Sequence, residues 1–102
     1  RSSDYFLANN WNTLTGAFLV NMICNLNDIN LTPGKLTVIT GDTHIYKNHI
    51  DQVKENLLRT PRPFPKLIFK CGSRDSIYDY KYEDIKLIDY CPYKNIKAPM
   101  AV

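Results

Sequence analysis

Long apolar runs are missing from this chain, and with them any segment able to cross a bilayer as a helix, which takes about 20 consecutive apolar residues. No signal-peptide pattern opens it, so no membrane partner is expected. Cysteine is scarce. Cys24, Cys71 and Cys91 are odd in number, lack metal-ligand spacing and do not form a disulfide framework, so no metal is expected and a reducing, cytoplasmic location is. Blocks of one charge are also absent: the net charge is +3, with Lys and Arg scattered among Asp and Glu. That dispersal argues against a nucleic-acid groove and hence against DNA as a partner, while an anionic small ligand stays compatible with it. Repeats and low-complexity segments are missing as well.

What is present is an ordinary globular composition, 44% hydrophobic and 12% aromatic over 102 residues. Such a length allows one domain, and folding would bury only about two-thirds of its unfolded surface. The chain opens directly on Arg1-Ser2-Ser3-Asp4, a polar cluster with no Met and no lead-in, and reads as a piece of a longer polypeptide.

Asn9-Asn10-Trp11-Asn12 is expected to be a loop. From Thr13 to about Asn27 the apolar positions Leu14, Phe18, Leu19, Met22, Ile23 and Leu26 fall at steps of three and four, predicting a strongly amphipathic or largely buried helix capped by Asn12 or Thr13. Gly16 inside it costs about 1 kcal/mol against Ala and calls for a packing or access reason. Cys24 reads as a buried small hydrophobe. Lys35-Leu36-Thr37-Val38-Ile39-Thr40, β-branched and bounded by Pro33-Gly34, predicts a buried strand. Thr60-Pro61-Arg62-Pro63-Phe64-Pro65 ends a second helix near Arg59 and makes a stiff connector. Strands are predicted over residues 66–70 and 85–90, with a turn at Cys71-Gly72-Ser73 and a short irregular or helical piece from Ser76 to Asp84. The tail ends on Met100-Ala101-Val102, and so apolar an end is expected to dock on the protein. The class is α+β or mixed-sheet α/β.

The chemistry concentrates in Gly41-Asp42-Thr43-His44-Ile45-Tyr46-Lys47-Asn48-His49-Ile50-Asp51-Gln52-Val53, where the period changes. Ile50, Val53, Leu57 and Leu58 recur at helical spacing. If the preceding strand runs on through Tyr46, His44 and Tyr46 project from one face, two hydrogen-bonding rings side by side. Such a pair can hold a hydroxylated ligand. It can equally be a surface or core pair satisfied by backbone, and on these residues alone the second is the simpler reading.

Several blocks in order resemble the C-terminal part of the thymidylate synthase family: Arg1-Ser2-Ser3-Asp4 with Phe6-Leu7, then Asn12, then the stretch from Gly41 to His49, then Pro61-Arg62-Pro63-Phe64-Pro65-Lys66-Leu67, and finally Ile96-Lys97-Ala98-Pro99-Met100-Ala101-Val102. The resemblance covers essentially the whole chain. It implies an α+β fold with a mixed β-sheet and a long buried helix, of which residues 1–102 form the C-terminal part. It also implies conversion of dUMP to dTMP, with methylenetetrahydrofolate as one-carbon donor and reductant, yielding dihydrofolate, in an obligate homodimer whose sites share residues across the interface.

By the same resemblance Arg1 binds the dUMP phosphate, as suits a planar fork of donors, and Ser2 lies beside it. Asp4 stands near the pyrimidine and folate rings, where its carboxylate can accept from the pterin. His44 and Tyr46 bind the ribose 3′-hydroxyl, which gives the paired rings a ligand. Asn12 offers a donor and an acceptor together to the uracil edge. Cytosine presents the opposite pattern, and the related cytosine-nucleotide hydroxymethylases carry Asp there. The carboxylate of Val102 resembles a latch over bound folate. His49 and Asp51 read as helix-start and packing residues, and Arg62 as a shaper of a loop at the dimer interface.

The chain departs from the family at Ala8, where Gly is usual, at Asn10-Trp11, where Pro-Phe is usual, and at Gly16, near which an aromatic residue is usual. These changes sit beside the pyrimidine pocket, and Trp11 keeps a ring available there. Thr40 replaces a further small residue before Gly41. The family's nucleophilic Cys, in a Pro-Cys context, belongs upstream of Arg1 together with the active-site glutamate and the partner's arginines, and none of Cys24, Cys71 and Cys91 can replace it. The 102 residues alone are therefore expected to be inactive. A fusion to dihydrofolate reductase upstream is compatible with the sequence. The alternative functions are a pyrimidine nucleotide hydroxymethylase, disfavoured for cytosine by Asn12, and a non-catalytic nucleotide-binding or dimerisation fragment.

Overall fold

The structure, a computed structural model, describes residues 2–100. Six regular elements occur in chain order: β1 (Ser3–Asp4), α1 (Ala8–Cys24), β2 (Thr43–His44), α2 (Ile50–Leu57), β3 (Lys66–Phe69) and β4 (Ile85–Ile88), with short 3-10 turns at Lys47–His49, Ile77–Asp79 and Tyr82–Asp84. An α+β architecture results. Its strands form two separate pairs: β1 lies parallel to β2, with Ser3 opposite Thr43 and Asp4 opposite His44, and β3 lies antiparallel to β4, with Lys66 opposite Ile88.

Helix α1 begins five residues earlier than its apolar spacing predicts, and the expected loop at Asn9-Asn10-Trp11-Asn12 is its first turn. The reason is local hydrogen bonding. The carboxylate of Asp4 accepts from the amides of Phe6 (3.0 Å) and Leu7 (3.3 Å), turning the chain into the helix. The polar residues then bond back one turn: Asn10 Nδ2 donates to the Phe6 carbonyl at 3.1 Å and Thr13 Oγ1 to that of Asn9 at 2.8 Å. Neither Asn12 nor Thr13 caps the helix. The helix is long, 17 residues, but the expectation of a buried one is corrected: none of its residues is buried, and Trp11 is 75% and Leu14 53% exposed, because the described chain lays nothing over that face. Cys24 is half-buried.

The strand predicted over residues 35–40 does not form; the β-branched run has no partner strand and stays exposed and irregular. A β-rich sequence becomes a strand only where a neighbour supplies the ladder. Leu36 rests instead on Gly16 of α1, where a Cβ would meet its methyls at 3.6 and 3.7 Å.

The remaining expectations fit more closely. Helix α2 ends at Leu57, just ahead of the proline-rich connector, and β3 and β4 fall inside the predicted strands. The end of α1 is tied to the β3–β4 hairpin, since Asn25 Nδ2 donates to the carbonyl of Gly72 (2.9 Å) and to Tyr80 Oη (2.8 Å). Gly72 has φ +71°, a left-handed turn that suits a residue without Cβ. Asp84 closes the hairpin: the Lys81 amide, donating at 3.0 Å, and then the Arg74 guanidinium hold its carboxyl below the usual carboxylate range. Among the described residues no helix is long and apolar enough to cross a membrane.

Candidate functional site

The parallel pairing of β1 with β2 is what builds the site. Ser3 donates its amide to Asp42 (2.8 Å) and Tyr5 donates to His44 (3.0 Å), so the N-terminal block and the Gly41–His49 stretch, some 40 positions apart, share one short sheet. Asp4 lands directly opposite His44.

Around that pair four rings gather. The rings of His44 and Tyr46 stand edge to face, centroids 4.9 Å apart at 82°, side by side although the strand stops at His44 and Tyr46 follows on extended backbone. His49 meets Tyr46 at 5.6 Å and 80°, and Phe6 meets His49 at 5.7 Å. His49 is fully buried, the one buried residue among those described. Its packing role was legible in the sequence; its central position was not, because that depends on Phe6 arriving from the other end of the chain. His44 is half-buried, and its Nδ1 lies 3.9 Å from the carboxylate of Asp42, a loose and largely exposed contact.

Asp4 is half-buried, and only its Oδ1 is used by the Phe6 and Leu7 amides; among the described residues Oδ2 receives no hydrogen bond. An acceptor is thus left open beside the ring cluster. The carboxamide of Asn12 is exposed on the second turn of α1 and has no hydrogen-bond partner among the described residues, leaving donor and acceptor both free. Ser2 is exposed just ahead of β1. Asp4, His44 and Tyr46 are therefore brought together, whereas Asn12 stands apart on the helix. Arg1 and Val102 lie outside the described residues.

The C-terminal tail runs along α2 on polar contacts; of the apolar end expected to dock, Met100 is 80% exposed and residues 101–102 lie outside the described residues. Running antiparallel to the helix, its carbonyls accept from a row of side chains: Pro99 from His49 Nε2 (2.6 Å), Lys97 from Gln52 (3.5 Å) and Lys94 from Arg59 (2.8 Å). Beyond the helix Arg62 donates to the carbonyls of Cys91 (2.8 Å) and Pro92 (3.1 Å), and its guanidinium lies 3.8 Å from the centre of the Tyr93 ring. These donors escaped the sequence reading, since nothing local marks a partner 30 to 50 positions away. An open groove of about 1010 Å³ between this tail and the start of α1 is bordered by Leu7, Trp11, Phe64, Tyr93 and Ile96; Asp4, Asn12, His44 and Tyr46 do not line it. Among the described residues no group of three His, Cys, Asp or Glu side chains could hold a metal ion.

The segment is α+β, with the Asp4 carboxylate and the His44 and Tyr46 rings gathered at one short strand pair and the C-terminal tail running along α2. The family model described as "Thymidylate synthase" matches residues 1–102, and a thymidylate synthase of Pseudomonas fluorescens (strain SBW25) is 43% identical over all 102 residues. The chain belongs to the thymidylate synthase family. It spans 36% of the length of that relative.

Proposed function

We propose that this chain is the C-terminal part of a cytoplasmic enzyme that methylates dUMP reductively to dTMP, with methylenetetrahydrofolate as cosubstrate and dihydrofolate as the second product. The observation that carries the reading is the convergence of Asp4, His44 and Tyr46 on the β1–β2 pair. In it His44 and Tyr46 hold the ribose 3′-hydroxyl between ring edges, Arg1 and Ser2 hold the phosphate, and Asn12 faces the uracil edge with donor and acceptor together. The folate fits the residues at hand in one specific respect: Asp4 keeps Oδ2 open, an acceptor suited to a ring N–H. Methylenetetrahydrofolate supplies the one-carbon unit and the hydride. Val102, at the end of the docked tail, closes over it.

The nucleophile that adds to the pyrimidine is assigned to a Cys upstream of Arg1. In support, Cys24 lies on α1, Cys71 at the hairpin turn and Cys91 beside Arg62, none of them in the ring cluster. By itself the 102-residue chain is inactive, and the intact protein works as a homodimer. The test is turnover of dUMP by the intact protein, followed through dihydrofolate formation; no turnover rejects the proposal. In the same assay Asn12→Asp lowers the preference for dUMP over dCMP by about 100-fold or more, because a carboxylate repels the uracil carbonyl and leaves a buried pair unmatched. An unchanged ratio removes Asn12 from its role.

A further inference from the structure

His49 does more than fill space. It is completely buried, its Nε2 is 2.6 Å from the Pro99 carbonyl, and its Nδ1 is buried with no partner among the described residues. A carbonyl can only accept, so Nε2 carries the proton of this hydrogen bond. The same ring touches Tyr46 edge to face and Phe6 at a tilt, and its amide donates to the Tyr46 carbonyl at 2.9 Å. One side chain thus contacts both the ring pair assigned to the nucleotide and the last described turn of the tail.

We infer that His49 is a positioning residue that fixes the C-terminal tail to the Tyr46 ring, so that the cosubstrate side of the site is set by the nucleotide side. The chain of contact is short: Tyr46 orients His49, and His49 Nε2 holds Pro99. Proline has no amide of its own, so this carbonyl is the one backbone group through which residue 99 can be held. Gln52 supports the tail one turn further along α2, but at 3.5 Å it is the weaker of the two holds. The coupling to nucleotide and folate rests on the proposed function; the anchoring of the tail does not.

The test compares His49→Phe, which keeps a buried ring but removes the donor, with His49→Gln, whose amide can still donate, in the intact protein. Tryptic cleavage after Lys97 in limited proteolysis speeds up about tenfold in His49→Phe, the effect of one lost hydrogen bond, and returns toward the parent rate in His49→Gln. In turnover, His49→Phe raises the KM for methylenetetrahydrofolate about tenfold and that for dUMP less than twofold. Unchanged cleavage in His49→Phe overturns the anchoring. Faster cleavage with equal changes in both KM values overturns the coupling while the anchoring stands, and faster cleavage in a protein that never turns over dUMP rejects the proposed function alone. Where His49→Phe does not fold, nitrogen NMR of the unaltered protein decides: a proton on Nε2 of His49 is expected, and an Nε2 without a proton overturns the inference.

Discussion

At the scale of single residues the two glycines with structural interest behave oppositely. Gly16 sits inside α1 with only the methyls of Leu36 nearby, at ordinary van der Waals distance, so the described chain gives no packing reason for it. Gly16→Ala in the intact protein is expected to raise stability by about 0.5–1 kcal/mol, through the smaller backbone entropy lost by alanine in a helix, and a higher Tm would record it. A fall in Tm would mean that something beyond Leu36 approaches that face. At Gly72, where φ is +71°, the same change runs the other way, costing about 1 kcal/mol, since a Cβ is strained in the left-handed region. At Asn12 the paired donor and acceptor of the side chain can be read from the residue type alone. A carboxamide means the same thing wherever it is placed, although its setting on a helix turn instead of a loop was missed.

Among the elements, the tail and its platform α2 carry the most consequence. Arg62 binds two successive carbonyls while stacking on Tyr93, a task for a planar fork that an ammonium group cannot copy. Arg62→Lys is expected to raise tryptic cleavage after Lys94 about five- to tenfold in limited proteolysis, a loss of about 1–1.5 kcal/mol in local docking. Unchanged cleavage would leave the stacking without effect. The elements that sequence made legible are those whose signal is local: α2 with its apolar spacing, β3 and β4 with their bounded runs, the connector with its prolines. What stayed hidden depends on distant partners. Residues 35–40 look like a strand and lack a neighbour, whereas Ser3–Asp4 and Thr43–His44 look unremarkable and make the pair on which the site is built. The onset of α1 was hidden for a related reason, since Asn and Thr read as loop formers until their side chains are seen returning to carbonyls four residues back.

For the molecule as a whole, dimensions and burial agree. The radius of gyration is 16.4 Å, against about 13 Å for a compact domain of 100 residues. His49 is the sole buried side chain among those described, and no hydrophobic residue joins it. Ordering a residue costs about 1–2 kcal/mol of backbone entropy, and apolar burial is the main term that opposes it. Expressed alone, the 102 residues are therefore expected to show no cooperative urea transition and to bind a hydrophobic dye; a sharp transition would contradict this. The row of contacts along α2 carries a further implication, for how the tail can change over time. Where the side chains of His49, Gln52 and Arg59 donate to Pro99, Lys97 and Lys94, they donate to main-chain carbonyls, which every amino acid possesses. The grip does not read the tail's letters. Mutational drift at positions 94 and 97 leaves it intact, whereas positions 49, 59 and 62 must each keep a side chain that can donate, so one side of this contact is freer to vary than the other.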